Sequence, residues 1–231
     1  MTVLHLADEG EAADLAAFLA RLLHYDRGAA VRLQAAGTAL AVFGRPPSFE
    51  VLAIRAARLA KPYENGLDVA LDVTVSAGEL LETVDESAAT LTVPGAVTGP
   101  PWAGVLPPRG GWRPEPGLPA PDALRTMVAA AVAEFRSRTQ ELAPELRTRA
   151  ELDRIGRDIW TRTVGETRLP VRAVHAAQSL GFLRPSQGPQ ASGEAPLALV
   201  SSGSWLRLRT PYGSIAVRGG AGLGALDVSV R

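Results

Sequence analysis

Three histidines, His5, His24 and His175, are the first candidates for proton transfer or metal ligation in this chain. None has the close spacing to another His, Asp or Glu that an H-E-x-x-H zinc site requires. No cysteine is present to supply a thiolate ligand, a disulfide or a thiol nucleophile. His24 lies in the polar run His24-Tyr25-Asp26-Arg27 at the expected end of a helix, where the dipole favours a cation, and that is a sufficient structural reason for it. Asp68, Asp72, Glu79, Glu82, Asp85 and Glu86 hold enough carboxylates to draw an acid–base pair from. A solvated strand face followed by a helix N-terminus explains the same spacing without catalysis. The tail Gly219-Gly220-Ala221-Gly222-Leu223-Gly224 is rich in glycine but leads into the alternating residues 226–230, so a turn before a terminal strand is expected in place of a phosphate loop. No G-x-S-x-G, S-x-x-K or Walker-type lysine occurs. Catalytic residues, cofactors and metals are therefore not expected, and an enzyme ranks behind the binding readings.

Arginine and tryptophan are the more informative residues. In residues 204–210, Trp205, Arg207 and Arg209 alternate on one face while Leu206 and Leu208 take the other. Arginines interleaved with an aromatic ring contact phosphates and stack on exposed bases. Upstream, an expected helix over residues 171–180 offers Arg172, His175, Gln178 and Ser179. The expected nucleic-acid-binding set is thus Arg172, His175, Ser179, Trp205, Arg207 and Arg209. A second group, Trp102, Arg109, Trp112 and Arg113, lies in a Pro/Gly-rich segment and has the composition of a protein-binding hot spot. The same tryptophans pinned onto the protein's own sheet are the competing, and favoured, explanation.

The formal net charge of zero hides a division. Residues 1–93 carry 7 basic against 13 acidic side chains, and residues 94–231 carry 17 against 11. Such asymmetry fits either an acidic partner for the basic part or attraction between the halves. Twenty-three arginines against the single Lys61, with heavy use of Ala, Gly and Pro, give an actinobacterial-like composition that reflects GC-rich codons. The N-terminus lacks the basic and apolar regions of a signal peptide, and no apolar run approaches the ~18–20 residues that cross a bilayer. The expected location is the cytoplasm, away from membranes.

The elements that must position these side chains follow from periodicity. Leu15, Phe18, Leu19, Leu22 and Leu23 form one helical stripe in residues 12–25, opened by Asp8 or Glu9. Strands are expected over 30–35, 38–43, 49–58, 67–75 and 89–93, with Gly37 in the first turn. Ser76 with Glu79 forms a capping box for a short helix to about residue 84. Residues 94–121 hold nine of the 18 prolines and six glycines, so they form neither a helix nor an interior strand. Helices are then expected over 121–143, 145–161 and 171–180, and strands over 197–201, 204–210 and 214–218.

The expected fold class is α+β: an acidic, antiparallel β-rich part over 1–93 with a leading helix, a Pro/Gly/Trp-rich arm over 94–121, and a helical basic part over 122–231 ending in a β-hairpin. Three helices followed by a hairpin resemble a winged helix in architecture over residues 121–218, which implies a last helix in the major groove and a hairpin at the backbone. Residues 162–169 are longer than the ~3–4-residue turn of that motif. The function expected is non-enzymatic, cytoplasmic binding of DNA or RNA, with a regulatory role. The alternative is a protein–protein adaptor or secretion-type chaperone that uses the arm and the strand edges. Assembly with a second copy is open on either reading.

Overall fold

A computed structural model describes residues 2–47, 49–60, 71–185 and 197–219. The expected strand over 226–230, most of the glycine tail, and residues 67–70 of the expected strand over 67–75, Asp68 among them, lie outside the described residues.

The fold is α+β, and its centre is one antiparallel sheet of eight strands in the order β5-β2-β3-β4-β10-β9-β8-β7. The first half supplies β2 (Ala30–Ala36), β3 (Ala39–Gly44), β4 (Leu52–Arg58) and β5 (Leu71–Ser76). The second half supplies β7 (Arg113–Pro114), β8 (Ala198–Ser202), β9 (Trp205–Thr210) and β10 (Gly213–Arg218). The halves meet where β10 pairs with β4, in the register Ser214↔Ile54, Ile215↔Ala53 and Ala216↔Leu52. A separate two-stranded ribbon joins β1 (Val3–His5) to β6 (Thr90–Thr92). Three residues are too few for alternation to reveal β1 in the sequence.

Helices cover one face of the sheet. Asp8 caps α1 (Glu9–Tyr25) by accepting the Glu11 amide at 2.9 Å, and the stripe of Leu15, Phe18, Leu19 and Leu22 is buried as its spacing requires. Ser76 caps α2 (Ala77–Glu82) by accepting the amide of Glu79. Pro121 takes the first turn of α3 (Pro121–Glu141), where a missing N–H costs nothing. Helix α4 spans Arg149–Trp160, starting four residues later than expected because Thr148, not a residue beside Pro144, supplies the cap. Helix α5 (Val171–Ser179) ends before Gly181, which takes a left-handed φ of 77°.

On α5 the winged-helix likeness does not carry through. Val171, Ala173, Val174, Ala176 and Ala177 are all buried against the sheet and the neighbouring helices, and of the other face Gln178 is exposed while Arg172, His175 and Ser179 are half-buried. The hairpin β9–β10 is no free wing either, because β4 and β8 pair with its outer edges. The ten-residue connection between α4 and α5 forms its own small loop, closed by a bridge between Thr163 and Pro170. The helices therefore act as a covering layer.

A strap covers the opposite face. Residues 97–114 begin at β5, where the Val97 amide donates to the Thr74 carbonyl at 2.9 Å, and end paired to β8 as β7. Between these ends the Arg32 guanidinium donates to the Ala103 carbonyl, and Ser202 Oγ donates to the Gly110 carbonyl at 3.2 Å. Trp102 and Leu106 pack on Phe43, Leu52, Ile54 and Ala216. Strand β4 lies under both layers, so Leu52, Ala53, Ile54 and Arg55 are buried in succession instead of alternating. Two proline-compatible elements occur in the strap, a 3-10 turn at Pro101–Gly104 and the edge strand β7.

Polar contacts hold the seam between the halves. Arg55, 5% exposed, donates from Nη2 to Glu11 at 2.7 Å and from Nη1 to the Tyr212 carbonyl at 3.0 Å. Asp14 on α1 accepts from Arg184, whose guanidinium lies 3.6 Å over the Tyr212 ring. Arg172 reaches Glu50 at 3.8 Å. Among the described residues these last two pairs are the only ion pairs that join residues 1–93 to the remainder. Most of the arginine excess in the second half is therefore spent elsewhere.

Candidate nucleic-acid interface

The two sets of residues singled out in the sequence are redistributed by the fold. Arg172, His175 and Ser179 lie on α5, in the helical layer. Arg172 points its Nε into the protein without a hydrogen-bond partner. His175 stacks on Trp160 with ring centroids 4.7 Å apart and meets Phe49 edge-on at 5.1 Å. Burial among these rings pushes the imidazole below its ordinary pKa. Phe49 also contacts Tyr25, which contacts His24, so the His24 cluster is one end of an aromatic row across the seam. Arg172, His175 and Ser179 are half-buried, and they lie on the helical layer, away from the strap.

Trp205, Arg207 and Arg209 face the strap, because alternation along β9 sends Leu206 and Leu208 into the helix-side core. Trp102, Arg109, Trp112 and Arg113 belong to the strap itself. The sequence kept these groups apart by nearly a hundred residues; the sheet face brings them together. The Arg207 guanidinium lies 5.8 Å from the centre of the Trp112 ring, and Trp112 is fixed by its indole N–H, which donates to the Pro108 carbonyl at 3.0 Å. Trp102 and Trp205 line the same hollow. Arg109 acts through charge on Asp72, which is held below the usual carboxylate range chiefly by its hydrogen bond from Arg32.

The electrostatics of this face are unbalanced. Arg207 Nε donates to Ser214 Oγ at 2.8 Å, yet no carboxylate among the described residues pairs with the guanidinium. Burial, with repulsion from Arg209, lowers its pKa to about 10. The side chains of Arg45, Arg113, Arg209 and Arg218 make no hydrogen bond or ion pair among the described residues. By contrast, Arg138 and Arg162 on the helical side share Glu134 and Asp158 in a closed network, which holds both carboxylates below their ordinary range. Unpaired cations also occur on the helical layer, at Arg21, Arg27, Arg136 and Arg157; what sets the strap side apart is that Arg207 is half-buried and adjoined by Arg209.

Two residues here escaped the sequence reading. Arg45 sits in the turn after β3, in an Arg-Pro-Pro-Ser run that reads only as a loop. Arg218 pairs in register with Trp205 and shares a face with Ser214 and Ala216. The alternation of residues 214–218 carried that signal. The hollow they flank has a volume of about 340 Å³, and it adjoins a wider one of about 710 Å³ that shares Arg45, Glu50 and Trp102. Among the described residues no group of three or more His, Asp or Glu side chains is placed to hold a metal ion. Nor is any described helix long and apolar enough to cross a membrane.

An α+β sheet protein with a cationic, tryptophan-bearing face under a proline-rich strap is the class these observations define. Residues 107–222, half of the chain, match the family described as Domain of unknown function (DUF8185), and the chain belongs to that family. Residues 1–104 match a second family, Domain of unknown function (DUF8010). The boundary between the matches falls inside the strap. No curated protein matches the chain.

Proposed function

We propose that this chain is a non-catalytic binding protein that holds single-stranded nucleic acid, RNA or DNA, on the strap side of its sheet. The observation that carries the proposal is the unneutralised, half-buried Arg207 beside Arg209 and beneath Trp112. A desolvated cation without a carboxylate is costly in the free protein and is compensated by an anionic ligand. Three tryptophans on the same side favour an anion that also carries flat rings. Single strands expose such rings; a duplex does not. The burial of α5 argues against major-groove docking. A cytoplasmic, regulatory role is part of this proposal, supported by the cysteine-free composition.

Titration of the full-length chain with a single-stranded oligonucleotide and a duplex of matching sequence, each across a salt series, tests it. Single strands should bind more tightly, with log K falling by about 0.7 per neutralised phosphate against log salt. Equal or tighter duplex binding with the same slope would count against a stacking face. Absence of binding at low salt would remove the proposal.

A second reading, the protein adaptor, has one observation in its favour. Val97 and Val105 on the strap are 40% and 48% exposed and border the two hollows. An acidic peptide with apolar side chains would use them, and its affinity would depend far less on salt.

A further inference from the structure

The hollow between Trp102 and Trp205 is built differently from the rest of the strap side. Its floor is apolar, formed by the buried Leu52 of β4 and Ala216 of β10. Its walls are the two indoles and Val105, and the indoles make no ring contact with each other. The hollow that both indoles line has a volume of about 340 Å³, within the roughly 300–1,000 Å³ typical of small-ligand sites. Arg45 and Arg218 stand at the rim, exposed and, among the described residues, without a carboxylate partner. Glu50 is the acidic group at the rim; it is directed to Arg172 on the helical side at 3.8 Å, which offsets part of its charge.

We propose that this hollow seats one nucleobase between or against Trp102 and Trp205, with Arg45 and Arg218 holding the phosphates adjacent to that base. The proposal rests on the single-strand reading and deepens it by naming the subsite. Apolar walls without a deep hydrogen-bonding floor make the seat tolerant of base identity, because every base has a face to stack. Arg45 and Arg218 are exposed while Leu52 and Ala216 are buried, so the hollow offers an apolar floor to a ring and charge outside it to a phosphate. Glu50 offers an acceptor to a sugar hydroxyl or an exocyclic amine and disfavours crowding by further phosphates.

The test is tryptophan fluorescence and calorimetric titration of the full-length chain with a short adenylate oligomer, with adenosine monophosphate, with inorganic phosphate and with an acidic Asp/Leu peptide. The oligomer and the monophosphate should both bind and quench fluorescence, while inorganic phosphate binds at least tenfold more weakly. The double variant R45A/R218A removes two exposed, unbonded side chains, so its thermal midpoint should match the parent while its affinity for the oligomer falls roughly tenfold or more. W205A should lose a similar factor, and W205F should restore much of it. Oligomer binding that ignores all of these variants would overturn the base seat and leave the single-strand reading standing. Failure of every nucleic-acid probe would remove both. Tight, variant-sensitive binding of the peptide alone would assign the hollow to a protein partner and overturn the proposal.

Discussion

Arg207 of the hairpin lies beneath Trp112 of the strap, 5.8 Å from its ring centre, although 94 residues separate them in the chain. The indole face compensates part of the charge that burial and Arg209 oppose, since no carboxylate among the described residues does so. Retaining such a cation weakens the free protein. The variant Arg207→Leu should therefore gain stability, on the order of 1–2 kcal/mol in urea unfolding, while losing affinity for single strands. Its salt slope should drop by about 0.7, the contribution of one phosphate contact. A variant that loses stability and keeps its binding would make Arg207 a structural residue.

The seam responds in the opposite direction. Arg55 is buried and compensated by Glu11 at 2.7 Å, with Asp14 at 3.4 Å and the Tyr212 carbonyl at 3.0 Å. Removing the nearest carboxylate leaves that charge underpaired. Glu11→Ala should lower stability by about 3 kcal/mol, and Glu11→Ala with Arg55→Met should recover a large part of the loss. Equilibrium unfolding of the parent, both single variants and the double variant gives the coupling directly. A coupling near zero would mean that solvent already screens the pair.

Local chemistry was legible in the sequence wherever it was decided locally. The Asp8 and Ser76 caps, the α1 stripe, the Gly37 turn and the alternation of residues 205–210 all follow from residue type and spacing within a few positions. What sequence could not reveal was which face each layer covers. Residues 52–55 are buried in a row because the strap roofs one side and α1 the other, and nothing within β4 announces the roof. The surroundings of α5 were hidden from the sequence for a related reason. Arg172 and His175 read as a polar helix face, yet Glu50, Phe49 and Trp160 arrive from distant segments to cover it. Polar and aromatic side chains serve a seam as readily as a ligand, and only the fold decides between them.

The shared sheet makes a prediction about the two family segments. Cutting at residue 105 would strip β10 from β4 and expose the backbone edge that pairs Ala53 with Ile215. It would also strip Phe182 from Phe18 and His175 from Phe49, opening both phenyl rings to water. A fragment of residues 1–104 should therefore self-associate or aggregate, since an unpaired apolar edge is a template for another chain. Co-expression with residues 105–231 should restore a soluble one-to-one complex on size-exclusion chromatography. A monomeric, cooperatively unfolding 1–104 fragment would show that the segments fold independently.

His175 sets the last expectation, through pH. Stacked on Trp160 and facing Phe49, the imidazole has a pKa lowered by burial, so the folded state resists protonation. The unfolded chain, with an ordinary histidine pKa near ~6.5, binds that proton more readily. Stability contributed by the neutral ring is therefore complete above the unfolded pKa and is lost as pH falls from there towards the folded pKa. The carboxylates held low by arginine, Asp72, Glu134 and Asp158, add their own loss only in more acidic solution, below their ordinary range. Urea midpoints of the parent should fall between about pH 7.5 and 5.5, and the fall should shrink in His175→Gln, which cannot take up the proton. The aromatic row runs from Trp160 through His175 and Phe49 to Tyr25, so protonation there weakens the seam itself. Hydrogen exchange at α5 should accelerate over the same pH window, after correction for intrinsic rates. An identical pH dependence in parent and His175→Gln would assign the loss to other groups.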